Sequence, residues 1–413
     1  MVPNGWEIQK LEQIATVERG KFSARPRNDP KYFGGNIPFV QTGDIAAAKT
    51  YLQNYTQTLN EDGLKVSRLF PKNTILITIA ANIGDTAITS FDVACPDSLV
   101  AIRTHKDTDC FWLKLYLETC KDELDGKATQ NAQKNINLQV LKPLEVLTPP
   151  YSEQRKIAQI LSTWDRGIAT SEKLIDARKQ QKKALMQQLL TGKKRLVDPE
   201  TGKKFEGDWE EVKLSHFFDR VTEKNKGQST NVVTISAQHG LIRQEEFFKK
   251  SVASETLDNY FILRKGQFAY NKSYSNGYPM GAIKRLNRYE DAVVTSLYIC
   301  FELKNEQLAS SCFMEQYFES GLLNRGLTKV AAEGGRAHGL LNLKPSDFMA
   351  LAITAPQLYE QQKIASVLTA ADKEIELLEA KLVHFKQEKK ALMQQLLTGK
   401  RRVKVEHMEE ATC

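Results

Sequence analysis

Cysteine is scarce in this 413-residue chain, and the six present, Cys95, Cys110, Cys120, Cys300, Cys312 and Cys413, form no C-x-x-C pair. That spacing gives neither a disulfide framework nor a zinc module and fits reduced thiols. No apolar run approaches the roughly 18 residues that a membrane span needs. The opening Met1-Val2-Pro3-Asn4-Gly5-Trp6 shows no basic stretch followed by an apolar one, so no secretory pattern is visible. A soluble, cytoplasmic protein is the expectation. No G-x-x-x-x-G-K-[ST] loop is available for nucleotide phosphates, and no Gly-rich turn follows a strand pattern as a cofactor site requires. The six histidines, His105, His216, His239, His338, His384 and His407, are scattered without metal spacing. No catalytic residue, cofactor or metal site is therefore expected. Charge of one sign is also modest: 58 Lys and Arg against 50 Asp and Glu leave +8, which permits nucleic-acid binding without requiring it.

What the sequence does have is a passage written twice. Residues Lys182 through Lys193 recur one for one as Lys389 through Lys400, an offset of 207. Upstream, Glu153-Gln154 falls on Glu360-Gln361, Lys156-Ile157-Ala158 on Lys363-Ile364-Ala365, Asp165 on Asp372, and Pro149 on Pro356. Within each copy the apolar positions alternate steps of four and three, the spacing of a coiled-coil seam. The first seam holds Ile157, Leu161, Trp164, Ile168, Ile175, Leu185 and Leu189. The second holds Ile364, Leu368, Ile375, Leu378, Leu382, Phe385, Leu392 and Leu396. Lysine interrupts both at the same place, Lys182 and Lys389, where a long side chain can carry its ammonium to the seam edge. Pro149 and Pro356 break the preceding segments, and Gly192 and Gly399 stand where helix C-caps belong. Residues 152–191 would make a rod about 60 Å long. Seams longer than three or four heptads predict that the two helices pack together, antiparallel if a two-fold axis relates the halves.

Ahead of each helix lies a module, and the two modules resemble each other weakly. Trp6-Glu7-Ile8-Gln9-Lys10-Leu11 opens one, and Trp209-Glu210-Glu211-Val212-Lys213-Leu214 opens the other. Leu141-Lys142-Pro143 and Leu343-Lys344-Pro345 close them. Short β-branched runs bounded by Gly, Asn and Pro read as strands: residues 37–44, 74–80, 232–235 and 292–301. Helical patterns fall near Phe111–Lys121 and Ser311–Gly321. The predicted fold class is α+β: two mixed α/β domains separated by two long helices forming an antiparallel coiled coil, with a pseudo-two-fold internal repeat. The expected partition is a first domain over 1–150, a spacer helix over 151–193, a solvated connector over 194–208, a second domain over 209–356, a second spacer helix over 357–400 and a tail over 401–413.

The segment Pro149-Pro150-Tyr151-Ser152-Glu153-Gln154-Arg155-Lys156-Ile157-Ala158, leading to a long helix that ends Leu189-Leu190-Thr191-Gly192, resembles the specificity subunits of type I restriction-modification enzymes. Its second copy runs from Pro356 through Glu360-Gln361 to Lys363-Ile364-Ala365. The resemblance implies a non-catalytic recognition subunit with two target-recognition domains on a helical spacer. It implies double-stranded DNA as ligand, read as two blocks of an asymmetric target across a gap. It also implies two methyltransferase (M) subunits as partners, with restriction/translocase (R) subunits in the full complex. Thr148-Pro149-Pro150-Tyr151 invites comparison with the Asn/Asp-Pro-Pro-Tyr of amino-methyltransferases, but a threonine cannot accept the target amine's hydrogen bonds as an amide or carboxylate does. A proline break before a helix accounts for it.

Base readout calls for Arg, Lys, Asn, Gln and similar side chains on loops held by a rigid scaffold. The first module offers Lys21, Arg25 and Arg27 in a turn-rich stretch, Asn82 after an apolar run, and Gln130, Asn131, Gln133 and Lys134 in an amide-rich one. The second offers Lys224 and Lys226, Gln238 and His239, Asn271, Lys272, Tyr274 and Asn276, and Arg336 and His338 in a Gly-rich loop. On residues alone two other readings stay open. One is an adaptor that uses a coiled coil to space two ligand-binding modules without DNA. The other is the recognition remnant of a nuclease-methyltransferase fusion.

Overall fold

The computed structural model describes residues 2–80, 82–128, 134–236, 238–248, 256–275, 277–331 and 341–405. It forms two compact units, residues 1–171 with 381–413, and residues 172–380.

In the first unit the core strands are β1 (Ala15–Arg19), β2 (Ile75–Thr78), β3 (Thr86–Thr89) and β4 (Leu99–Thr104), followed by helix α1 (Cys110–Thr119) and the 39-residue helix α2 (Tyr151–Leu189). The sheet runs β1-β4-β2-β3, antiparallel throughout, with Tyr51–Leu52 added beside β3. Alternation along β2 explains why all of it is buried. Ile75 and Ile77 face α1 with Trp112, Leu113 and Leu115, while Leu76 joins Val40, Phe70 and Val93 on the other side.

The second unit repeats this plan with different residues. Strands β5 (Phe218–Val221), β6 (Phe268–Asn271), β7 (Ala282–Arg285) and β8 (Ile299–Leu303) are followed by α3 (Ser311–Glu319) and the 39-residue α4 (Leu358–Leu396). Their order, β5-β8-β6-β7, matches that of the first sheet. Here the face toward α3 is aromatic: Phe268 stacks on Phe301 at 5.4 Å and Tyr270 on Phe348 at 4.9 Å. Two of the expected strand runs are finer-grained than the sequence suggested. Residues 292–301 are two strands, Asp291–Val294 and Ile299–Leu303, interrupted by a turn. Residues Thr42–Ala47 form a short helix after the strand Phe33–Phe39.

Each module closes on itself before the long helix begins. The Trp6 phrase pairs antiparallel with the run before α2 (Glu7–Lys10 with Glu145–Thr148), and the Trp209 phrase does the same before α4 (Glu210–Lys213 with Ala352–Ala355). The Gln of the repeated Glu-Gln pair ties the module helix to the long one. Gln154 accepts the Asp109 amide at 2.8 Å at the start of α1 and donates to the Pro149 carbonyl at 2.9 Å. Gln361 accepts the Ser310 amide at 3.0 Å and donates to Pro356 at 2.8 Å. The Thr-Pro-Pro-Tyr stretch belongs to this corner: Thr148 donates to the Val146 carbonyl and is buried.

Within each unit the start of one long helix packs antiparallel on the end of the other. In the first, Ile157 and Leu161 cluster with Leu392, Leu396 and Leu397, and the Trp164 ring meets Phe385 edge-on at 5.8 Å. In the second, Met186 and Leu189 cluster with Ile364 and Leu368. Ile157, Leu161, Ile175, Leu189, Ile364, Leu368, Ile375 and Leu396 are buried, and the other expected seam positions, Trp164, Ile168, Leu185, Leu378, Leu382, Phe385 and Leu392, are half-buried. The interrupting lysines are answered symmetrically by aspartates: Lys389 meets Asp165 at 2.6 Å and Lys182 meets Asp372 at 2.5 Å.

The glutamate of the repeated pair receives an arginine from just beyond the other helix. Glu360 takes Arg195 through two hydrogen bonds of 2.7 and 2.6 Å, and the Arg195 guanidinium lies over the Trp209 ring at 6.0 Å. Glu153 takes Arg402, which lies over the Trp6 ring at 5.7 Å, and also accepts the Trp6 indole N–H at 3.2 Å. The connector is therefore held as well as wetted: Arg195 pins it, and Phe205 packs edge-on against Tyr359 at 5.7 Å. Gly192 and Gly399 have φ of +69° and +68°, the left-handed C-cap that lets the chain turn from helix to clamp.

Candidate nucleic-acid interface

Strand register decides which loops share an end of each sheet. In the first module Arg19 lies opposite Val100, and Leu99 opposite Thr78. The Ile79 amide donates to the Ser98 carbonyl at 3.1 Å. The end of β1, the Asp97-Ser98 turn and the tip of the β2–β3 hairpin therefore sit together. A third segment joins them, because Ala80 bridges to Asn135 and the Ile136 amide donates to the Ile79 carbonyl at 3.0 Å. The second module repeats the arrangement. Val221 lies opposite Cys300 and Tyr270 opposite Ile299, so the chain leaving β5 shares an end with the tip of the β6–β7 hairpin. The Leu341 amide donates to the Lys272 carbonyl at 3.2 Å and the Lys272 ammonium to the Leu343 carbonyl at 3.5 Å.

Of the sequence candidates, Lys21, Arg27, Asn82 and Lys134 belong to this end of the first module. All four are exposed, with Arg27 paired to Asp97 at 2.8 Å and Lys134 to Asp125 at 3.2 Å. Arg25 is exposed and donates to the carbonyl of Ala24. In the second module Lys224 donates to the Asn259 carbonyl and covers the Phe261 ring, Lys226 is exposed, and Asn271, Lys272 and Tyr274 line the hairpin tip, with Tyr274 61% exposed. Gln238 and His239 lie apart, at the turn between Val233–Ser236 and Gly240–Arg243. That hairpin packs on the face of the sheet opposite α3, with Ala269 and Cys300. Gln130, Asn131, Gln133, Asn276, Arg336 and His338 lie outside the described residues.

Several charged groups at or beside these ends escape a local reading of the sequence. Arg19 donates to the Asp97 carbonyl at 2.7 Å while Arg27 holds its carboxylate. Burial would raise the Asp97 carboxyl, but these guanidinium groups outweigh it and keep the group below its usual range. Along the same edge strand, Glu18 bridges Arg68 at 2.9 Å and Arg103 at 2.6 Å. In the second trio one carboxylate orients two arginines, in the first Asp97 holds Arg27 through its carboxylate and Arg19 through its backbone carbonyl, and each trio keeps one net positive charge. Such pairings join residues 50 to 85 positions apart, so only strand register could have revealed them.

Burial pushes the thiols of Cys95, Cys110 and Cys300 up to about 12 and that of Cys120 up to about 11, so none is a thiolate nucleophile at neutral pH. Among the described residues no cluster of three or more His, Cys, Asp or Glu could hold a metal ion, and no helix is long and apolar enough to cross a membrane.

The family model described as the type I restriction modification DNA specificity domain matches the chain twice, over residues 3–178 and 206–386. The MjaVIII type I restriction enzyme specificity subunit of Methanocaldococcus jannaschii is 24% identical over 98% of this chain and 94% of its own length. The MjaX putative specificity subunit of the same organism is 25% identical over 98% and 95%. The fold is similar to that of the S subunit of a type I restriction-modification system from M. genitalium, with a TM-score of 0.54, 14% identity and coverage of 96% of this chain and 97% of that one. The family match spans most of the chain in two copies, one for each module with its helix. The chain therefore belongs to the type I restriction-modification specificity family, as a non-catalytic DNA specificity subunit that works as part of a type I complex.

Proposed function

We propose that the chain reads a bipartite, asymmetric target in double-stranded DNA, one block through residues 1–150 and the other through residues 209–356. One observation carries this reading: both modules gather the exit of the first core strand, a hairpin tip and a returning loop at one sheet end, and furnish that end with different side chains. A common scaffold with unlike tips is what reading two unlike sequences requires, since base edges specify and phosphates only position. Lys21, Arg25, Arg27, Asn82 and Lys134 serve the first block, and Lys224, Lys226, Asn271, Lys272 and Tyr274 the second. The helical spans 151–193 and 357–400 set the gap, with 194–208 as connector and 401–413 as tail. Two M subunits supply methyl transfer and R subunits supply cleavage and translocation, in the cytoplasm. Exchanging residues 1–150 for the matching module of a relative, with its M partner present, should change one half of the methylated motif in a genome-wide map. A change in both halves would overturn the reading.

A further inference from the structure

We propose that each hairpin tip is held in its reading pose by a charged tie to the end of its own core helix, and that these ties fix specificity block by block. This rests on the reading that the hairpin tips meet DNA. In the second module the Tyr278 hydroxyl donates to Glu319 at 2.6 Å. The Lys284 ammonium donates to the other oxygen of Glu319 at 2.5 Å and to the Tyr278 oxygen at 3.1 Å. The Lys284 side chain is only 9% exposed, so the network stands where water replaces little of what it loses. The Tyr270 hydroxyl, from β6, donates to the Met280 carbonyl at 2.6 Å. A side chain on Gly281 would collide with the Asn271 carbonyl at 2.3 Å, so the two limbs of the tip cross in close contact. In the first module Asp85, at the foot of the β2–β3 tip, pairs with Lys121 just beyond α1. The Asp85 amide also donates to the Thr78 hydroxyl at 3.0 Å.

The two ties join the same pair of elements with the charges exchanged. The first module puts the acid on the hairpin and the base beyond the helix; the second puts the base on the hairpin strand and the acid on the helix. Around the buried Lys284, packing alone would be served at least as well by apolar side chains, because desolvating a charge pair seldom adds net stability; the Asp85–Lys121 pair is more exposed and adds little stability of its own. What a satisfied polar network adds is a single geometry. Base discrimination depends on that geometry, since a donor displaced by a fraction of an ångström loses its bidentate partner. Tyr278, Lys284, Glu319, Asp85 and Lys121 are thus positioning residues that act through the tips.

The test uses the full chain in complex with its M partner. Sequencing of methylated sites first defines the target, and a set of duplexes with one changed base pair each then gives the ratio of cognate to altered kcat/KM at every position. Tyr278→Phe and Glu319→Gln should each lower that ratio about tenfold at positions of one block only, and Lys121→Met at positions of the other. Circular dichroism melting should be unchanged for Tyr278→Phe and Lys121→Met, while Glu319→Gln, which strips the buried Lys284 of its partner, should melt lower and is assayed well below its midpoint. Ratios unchanged in all three variants, or lowered in both blocks by each, would overturn the proposal. Lys272→Ala and Tyr274→Ala, on the tip itself, separate the two layers. If they weaken recognition while the tie variants leave the ratios intact, the tie proposal fails and the reading of the tips stands. If they change neither affinity nor discrimination, the reading of the tips fails and the proposal with it.

Discussion

Removing one guanidinium, that of Arg195, should destabilise the unit formed by residues 172–380 far more than an ordinary surface change. Its partner Glu360 has a side chain only 4% exposed, held by bonds of 2.7 and 2.6 Å, while Arg195 itself is 21% exposed. Arg195→Ala leaves the carboxylate buried and uncompensated, which costs about 3–5 kcal/mol when water is excluded. Because Arg195 retains some solvent access, the lower end of that range, about 3 kcal/mol, is the expected figure. With a urea dependence of about 2 kcal/mol per molar, the midpoint should fall by about 1.5 M. Hydrogen-deuterium exchange along a urea series separates peptides of residues 172–380 from those of the other unit, where Glu153 and Arg402 remain intact. Arg195→Met combined with Glu360→Gln should restore most of the loss, because the buried charge goes with its partner. A midpoint shift below about 0.3 M, or additive single and double variants, would show that the clamp is an ordinary exposed ion pair and refute the reasoning.

Two further outcomes follow from named contacts. Arg68→Ala with Arg103→Ala, which leaves Glu18 without either partner, should weaken DNA binding evenly across sequences. It should also reduce the slope of log affinity against log salt by about 1 per cation removed; an unchanged slope, or a loss confined to particular base pairs, would reject phosphate contact. A chain ended after Leu196 should self-associate more tightly than one ended after Gly192, because Lys193-Lys194-Arg195 matches Lys400-Arg401-Arg402 and brings an arginine for the Glu153 of a second copy. Sedimentation equilibrium giving the same dimer affinity for both lengths would show that this arginine does not take Arg402's place.

The framework was legible because it is written in periodicity. Helix α2 and helix α4 each span 39 residues, and the four-three spacing of Ile157, Leu161 and Trp164 in one and of Leu378, Leu382 and Phe385 in the other is a one-dimensional record of a packed face. The offset that relates the helices also contains the Asp165–Lys389 and Asp372–Lys182 pairs. The sequence suggested only that the lysines would reach past the seam, because an antiparallel partner is not written next to the residue it answers. The clamp was missed for the same reason: Arg195 and Glu360 are 165 positions apart. Extending the repeat three residues beyond Gly192 would have marked Arg195 and Arg402 as equivalent, though not what they touch.

The modules hid their likeness through the mechanism that makes them useful. Their strand orders coincide, β1-β4-β2-β3 and β5-β8-β6-β7, yet alignment at a fixed offset fades between the helices because equivalent roles fall to unlike residues. The core face of one sheet is aliphatic, with Ile75 and Ile77 against Trp112, while the other is a stack of Phe268, Phe301 and Tyr270. A hairpin is tied down by Asp85 in one module and by Tyr278 and Lys284 in the other. A core tolerates such exchange if volume and pattern are kept, and an ion pair works with either sign on either side. A recognition tip has no such freedom, since each base edge presents its own order of donors and acceptors. On the proposed reading of one block per module, the tips must therefore diverge, and the ties beneath them are free to diverge as well. The long helices carry the burden of likeness: each must accept the other's seam, and Glu153 and Glu360 must each accept an arginine from beyond the opposite helix.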